Sequence, residues 1–155
     1  MNSAEDKLQE ECGVFAIFTP GHGTEEHASL SRLVYYGLYA QQHRGQESAG
    51  MALLQGREFQ LHRGLGLVAE VFTDSVLGSL KGSAAVGHVR YSTSGSNTLV
   101  NAQPLVGKSK VGPLAIAHNG NLVNAAIIRE LLEDAGVMFQ SSSDSEVILN
   151  LIARG

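Results

Sequence analysis

Glu10-Glu11-Cys12-Gly13-Val14-Phe15-Ala16-Ile17-Phe18 is the stretch from which the rest of the chain can be read. An acidic leader, Met1 to Glu11, gives way at one residue to an unbroken apolar run. That run predicts a buried strand over 13–18, ended by Thr19-Pro20-Gly21. Cys12 stands at the junction and is the only cysteine of 155 residues. It therefore forms no internal disulfide and no multi-thiolate metal site. Two readings remain for it: a small buried hydrophobe, as many thiols are, or a nucleophile.

The totals describe one domain with a real core. Hydrophobic residues make up 43% of the chain and mean hydropathy is +0.01, values of a soluble globular protein. Glycine is abundant at 18 residues, which implies many tight turns or close backbone approaches. Net charge is −4, of which the leader supplies −3, so no basic field exists to hold a nucleic-acid backbone. The leader has neither the apolar core of a secretory signal nor the arginines of a transit peptide. No apolar stretch approaches the roughly 20 residues that span a bilayer. One unpaired cysteine fits a reducing compartment, and the expectation is a cytoplasmic protein without membrane or nucleic-acid partners.

Beyond the first strand, Ala28, Leu30, Leu33, Val34, Gly37 and Leu38 predict a helix over about 26–39. Gln41 to Gly50 (QQHRGQESAG) reads as a polar loop, Met51–Leu54 and Phe59–Arg63 as strands about a turn at Gln55-Gly56. Val68–Leu77 is ambiguous between loop and short helix, and Ala84–Tyr91 reads as a buried strand. Ser92–Asn101 reads as a polar loop, and 103–107 and 111–118 as strands. A helix is predicted after Asn121, with Leu122, Ala125, Ile128, Leu131 and Leu132 on one face and Gly136 as its C-terminal cap. Ser143-Asp144-Ser145-Glu146 matches a capping box at the start of a last helix. Strands interleaved with helices imply an α/β or α+β layered domain.

Several familiar motifs fail. Gly64-Leu65-Gly66-Leu67-Val68-Ala69 matches a dinucleotide fingerprint, but no acidic residue follows at the required distance. His22 and His27 lack the spacing of a helical zinc pair, and neither a nucleophile elbow nor a phosphate-binding loop occurs. What remains is a set of polar groups at the ends of apolar elements. Arg90 closes the strand Gly87-His88-Val89-Arg90-Tyr91-Ser92-Thr93, where its planar fork suits a carboxylate, either a ligand's or that of a structural ion pair. Ala117-His118-Asn119-Gly120-Asn121 lies between a strand and a helix, as an ordinary Asn-Gly turn or as a source of oxyanion donors. Asp144 falls in the first turn of the last helix, where its charge is favourable in any case.

Taken in order, CGVFAIF after Glu-Glu, QHRGQESAG, GLGLVAEVF, GHVRYSTSG, AHNGNLVN and SSSDSE resemble the glutaminase half of the glutamine phosphoribosylpyrophosphate amidotransferase (amidophosphoribosyltransferase) family. The resemblance runs from Glu10 to the last helix. It implies an α+β layered fold, the αββα sandwich of the N-terminal-nucleophile hydrolases. On this reading residues 1–11 are a cleavable acidic propeptide. Residues 12–155 form a class II glutaminase domain, incomplete at its C-terminal end and without its phosphoribosyltransferase domain.

The resemblance also implies the chemistry. Cleavage before Cys12 would free its α-amine, whose pKa of about 7.7–8.0 lets it take the thiol proton near neutral pH. The thiolate would attack the side-chain amide of glutamine, and ammonia would leave before water hydrolyses the thioester. Asn119 and Gly120 match the oxyanion donors. Arg90, with Thr93, matches the site for the substrate α-carboxylate, and Asp144 matches the partner of its α-ammonium. Arg44 and Gly45 match a loop beside the nucleophile, with a positioning role. Magnesium is implied for the absent synthase domain, and an iron–sulfur cluster, where present, would take its ligands from outside this chain; no cofactor is expected within it. The implied partners are glutamine, phosphoribosylpyrophosphate through the absent domain, and further copies in a homo-oligomer, a tetramer by resemblance. The alternatives are the glutaminase domain of another class II amidotransferase, such as glucosamine-6-phosphate synthase or asparagine synthetase, and an inactive fragment acting as a binding module. The first group begins at Met-Cys without a leader, and the GHVRYST wording is against it.

Overall fold

A computed structural model of the chain describes residues 12–19, 27–91 and 98–155, with 27–29 described by backbone alone. The leader, the turn after Thr19 and Thr93 lie outside the described residues. Six strands and five helices follow in the order β1 (Gly13–Phe18), α1 (His27–Ala40), β2 (Ser48–Gln55), β3 (Glu58–Leu65), α2 (Val68–Val71), α3 (Asp74–Ser79), β4 (Ala84–Arg90), β5 (Leu105–Ser109), β6 (Gly112–Ile116), α4 (Ala125–Asp134) and α5 (Asp144–Arg154). A four-stranded antiparallel sheet has the order β1-β4-β2-β3, and β5 pairs with β6 in a second sheet.

The period-2 alternation of β2 and β4 sets the layers. Ala49, Met51 and Leu53 pair with Val89, Gly87 and Ala85, so these residues share one face. They meet Leu30, Val34 and Leu38 of α1 and Val68, Val71, Phe72, Leu77 and Leu80 from the α2–α3 region in one hydrophobic core. Gly87 lets α1 sit close on the sheet: a Cβ there would lie 2.7 Å from Val34 Cγ1 and 2.8 Å from Leu38 Cδ1. The opposite face carries Ser48, Gly50, His88 and Arg90, in the pairs Ser48–Arg90 and Gly50–His88. That face looks toward the segment 101–104 and the second sheet, on which α5 packs. The mixed α/β architecture, helix on sheet on sheet on helix, is the αββα layering expected.

Local differences have physical reasons. β1 is an edge strand, and Val14 and Phe18 keep an exposed face where a fully buried strand was predicted. β2 begins at Ser48, inside the predicted loop, because small residues there pair on both sides with β3 and β4. Val68–Leu77 resolves into two short helices. α4 starts at Ala125 rather than directly after Asn121, preceded by a turn in which Ala125 N–H donates to the Leu122 carbonyl at 3.0 Å. On the predicted apolar face of α4, Leu132 is buried but Leu131 is 63% exposed. Its end is the predicted glycine cap: Gly136 has φ +86, and Val137 N–H and Gly136 N–H donate to the Leu132 and Glu133 carbonyls.

The capping box is half formed. Ser143 Oγ accepts from Ser145 N–H, but Glu146 does not return to Ser143. Its buried carboxylate instead accepts from Gln140 N–H, Ser141 N–H and Ser141 Oγ at 2.6–2.8 Å. With three donors on one anion, Glu146 staples the loop that delivers Asp144. Arg129 adds bonds to the Ser141 and Ser143 carbonyls while stacking on Phe139.

Candidate active site

Cys12 precedes β1 beside the end of β4, and its Sγ lies 3.4 Å from the Tyr91 carbonyl oxygen and 3.5 Å from Tyr91 N. Its backbone has φ +72, the left-handed region rarely taken by a residue with a side chain. Arg44 holds it from two sides. Cys12 N–H donates to the Arg44 carbonyl at 3.0 Å, and Arg44 Nε donates to the Cys12 carbonyl at 2.8 Å. Asn119 Nδ2 donates to that same carbonyl at 3.2 Å across 107 residues of sequence. Two distant motifs thus converge on the backbone of one residue.

The 3-10 turn Gln42–Arg44 reaches Cys12 because the next residue is glycine. A Cβ on Gly45 would lie 2.7 Å from the Arg90 nitrogen and carbonyl carbon and from the Val89 carbonyl carbon, all backbone atoms that cannot yield. Gln42 then ties this turn to α2, donating to the Gly45 carbonyl at 2.5 Å and accepting from Val68 N–H at 2.7 Å. Gly120 is equally constrained. Its φ is +153, and a Cβ would meet His118 Nε2 at 2.9 Å. An alanine there would combine backbone strain with a clash.

Arg90 projects from the inner face of β4, and its Nη1 is buried without a hydrogen-bond partner. No carboxylate among the described residues lies within ion-pair distance of it. Asp144 Oδ2 accepts from Leu122 N–H, while its Oδ1 lies 3.8 Å from His118 Nδ1. Other buried polar atoms without partners are Ser48 Oγ, both ring nitrogens of His88, His118 Nδ1 and Ser145 Oγ. An unpaired buried polar group costs about 1–3 kcal/mol. Ser48, His88 and Arg90 share one face by strand register, so their unsatisfied atoms line the same inner surface and suit a polar ligand or ordered water.

His88 is fully buried, and its pKa is pulled down to about 4, chiefly by burial, with the charge of Arg90 adding and the His118 backbone opposing. The ring is neutral in the folded state and takes up a proton on unfolding at any pH between about 4 and 6.5. Its contribution to stability is complete above pH 6.5 and falls as pH drops through that window, by about 1.4 kcal/mol per unit. Hydrogen-exchange protection of the β4 amides, corrected for intrinsic rates, is expected to decline from pH 6.5 to 4.5. His88→Asn should flatten that decline; an unchanged slope would place the acid sensitivity elsewhere.

The comparisons with known proteins now have a geometry to meet. Residues 62–155 match the model of the glutamine amidotransferase domain family. This chain belongs to that family. Amidophosphoribosyltransferases are among its relatives: that of Synechocystis sp. is 51% identical over 149 residues, covering 96% of this chain and 29% of that protein. The Bacillus subtilis enzyme is 47% identical over 148 residues, covering 95% and 30%. A solved structure described as the allosteric regulatory enzyme of purine biosynthesis superposes with a TM-score of 0.80 at 45% identity, over 92% of this chain and 29% of that one. A second, glutamine phosphoribosylpyrophosphate amidotransferase from B. subtilis complexed with ADP and GMP, gives 0.78 at 45% identity. This chain therefore spans less than a third of the length of these relatives.

Of the residues singled out in the sequence, Cys12, Arg44, Gly45, Arg90 and Asn119 are brought into one neighbourhood, and Asp144 is tied to the far end of the Asn119–Gly120 turn. Sequence reasoning gave no site role to Gln42, Gln103 or His118, and read Glu146 as part of a capping box. The roles of Gln42, Gln103 and His118 rest on contacts with residues far along the chain, which no local pattern announces.

Among the described residues, no helix is long and apolar enough to cross a membrane. Among the described residues there is no group of three or more His, Cys, Asp or Glu that could hold a metal ion.

Proposed function

We propose that this domain hydrolyses glutamine with Cys12 as an N-terminal nucleophile, once residues 1–11 have been removed, and passes the ammonia on for phosphoribosylamine formation from phosphoribosylpyrophosphate. The observation that carries the reading is the convergence of Arg44 and Asn119 on the backbone of Cys12. The α-amine of a terminal Cys12 is a base attached to the same residue as the thiol, with a pKa of about 7.7–8.0.

The balance is simple. The α-amine takes the thiol proton, and sulfur bonds to the amide carbon of glutamine. Asn119 Nδ2–H and Gly120 N–H stabilise the oxyanion, and ammonia departs with the proton returned from the α-ammonium. Water then cleaves the thioester to glutamate. An amide NH2 has two hydrogens, so Asn119 can keep its bond to the Cys12 carbonyl while donating to the oxyanion. The unpartnered Arg90 Nη1 takes the substrate α-carboxylate, with Thr93 assisting. Asp144 keeps one oxygen on Leu122 N–H and offers the other to the α-ammonium. The acceptor half of the reaction, its magnesium, any iron–sulfur cluster, assembly as a tetramer and a cytoplasmic location belong to the same proposal.

The test is glutamine hydrolysis by the protein as it occurs in the cell, with Arg90→Lys alongside. Lysine replaces a two-pronged fork by a point charge. KM for glutamine is expected to rise about tenfold or more with kcat little changed, the pattern of lost ground-state binding. An unchanged KM would remove Arg90 from the substrate site.

A further inference from the structure

Gln103 is buried, and both ends of its side-chain amide are spent on one residue, His118. Oε1 accepts from His118 N–H at 2.6 Å and Nε2 donates to the His118 carbonyl at 3.3 Å. The orientation of the amide is fixed by this pattern, since a flip would set N–H against N–H and oxygen against oxygen. It reproduces the pair of bonds that a neighbouring strand would supply. β6 has ended at Ile116, so a side chain does the work of a strand for the residue just before Asn119 and Gly120.

Gln103 is itself firmly anchored. Its carbonyl rests against Gly50, where any Cβ would overlap it. Arg63 Nη1 donates to the preceding Ala102 carbonyl at 2.6 Å. Asn101 makes three hydrogen bonds to Ser142, in the loop that leads to Asp144. Gly50 pairs with His88, two residues from Arg90 on the same face of β4. The segment 101–103 is therefore a strut touching β2, the neighbour of the strand that carries Arg90, together with Arg63 of β3, the loop that carries Asp144 and the turn that carries Asn119 and Gly120.

We infer that Gln103 is a positioning residue for the oxyanion donors: its amide clamps the His118 peptide and so fixes Asn119 and Gly120 against Cys12. The inference rests on the glutaminase reading above. Among the described residues the turn is also tied by Asn119 Nδ2 to the Cys12 carbonyl and, at its far end, by Leu122 N–H to Asp144. Without the clamp, the His118 N–H and C=O lose their partners inside the protein, and the turn must shift toward water to satisfy them. A displacement of about 1 Å suffices to cost on the order of a hundredfold in rate.

The test compares Gln103→Leu and Gln103→Glu with wild type in the protein as it occurs in the cell. Leucine removes both prongs; glutamate keeps the acceptor but sets a carboxylate oxygen against the His118 carbonyl. Expected for both is a fall in kcat for glutamine hydrolysis of about 10- to 100-fold, with KM and competitive inhibition by glutamate within about threefold of wild type. Alkylation of Cys12 by 6-diazo-5-oxo-L-norleucine, whose ketone needs the oxyanion donors, should slow by a similar factor. Alkylation by iodoacetamide, which does not need them, should be unchanged. The inference is overturned if kcat stays within threefold of wild type. It is equally overturned if glutamate affinity and iodoacetamide reactivity fall together with kcat, since Gln103 would then only maintain the fold. Should Gln103→Leu fail to fold, the near-isosteric Gln103→Glu carries the test. A wild-type protein that does not hydrolyse glutamine contradicts the functional reading itself, a result separate from either variant's behaviour.

Discussion

Cys12→Ala is expected to abolish glutamine-dependent formation of product while synthesis from added ammonia survives. The sulfur lies against the Tyr91 backbone, and the bonds of residue 12 to Arg44 and Asn119 use its backbone. Alanine keeps those backbone bonds and deletes the nucleophile. Removing a nucleophile from a covalent mechanism leaves only the effect of binding and oxyanion donors, so the glutamine-dependent rate should fall by about four orders of magnitude or more. Ammonia supplied in solution bypasses the missing step. The check is a paired assay with the two nitrogen sources on one preparation, together with circular dichroism of the variant. Loss of both activities in a well-folded variant would contradict separate ammonia production at this site.

Asn119→Ala has the second-largest expected effect. On the proposed mechanism its amide donates to the anion that forms on the substrate, and losing one such donor costs about 100- to 1000-fold in kcat. KM for glutamine should change little, since Arg90 and Asp144, not Asn119, are assigned the ground-state contacts. One complication has a structural origin: Asn119 also holds the Cys12 carbonyl. Asn119→Asp separates the two effects. It preserves size but offers no N–H to either oxygen and places charge beside the developing anion, so it should be at least as slow as alanine. Steady-state kinetics of both variants provide the check, and a kcat within tenfold of wild type in both would remove Asn119 from the oxyanion site.

Much of this site was legible because its parts obey local rules. The apolar run after Cys12, the helix that buries Leu30, Val34 and Leu38, and the glycine cap at Gly136 follow from periodicity and backbone freedom. The HRG and HNG segments stood out as dense polar groups between apolar elements. What could not be read was which partner each polar group would find. Ser143 to Glu146 has the pattern of a capping box, yet Glu146 turns to the loop before it because three donors wait there. Ser48 looked like loop because its strand partners, Leu65 and Arg90, are far along the chain. Gln103 has no local signature: its importance lies in meeting His118, and only tertiary structure brings them together.

The role of the backbone nitrogen of Cys12 is the point on which the account turns. With residues 1–11 attached, that nitrogen is an amide, donating to the Arg44 carbonyl and without basicity. With them removed it becomes an amine that can still donate to Arg44 while its lone pair faces the thiol. The most direct measurement is peptide mass spectrometry of the active protein after reaction with 6-diazo-5-oxo-L-norleucine. The account predicts one adduct, on Cys12, in a peptide that begins at Cys12 with a free α-amine. A fully active, labelled protein that retains Glu11 on Cys12 would contradict it.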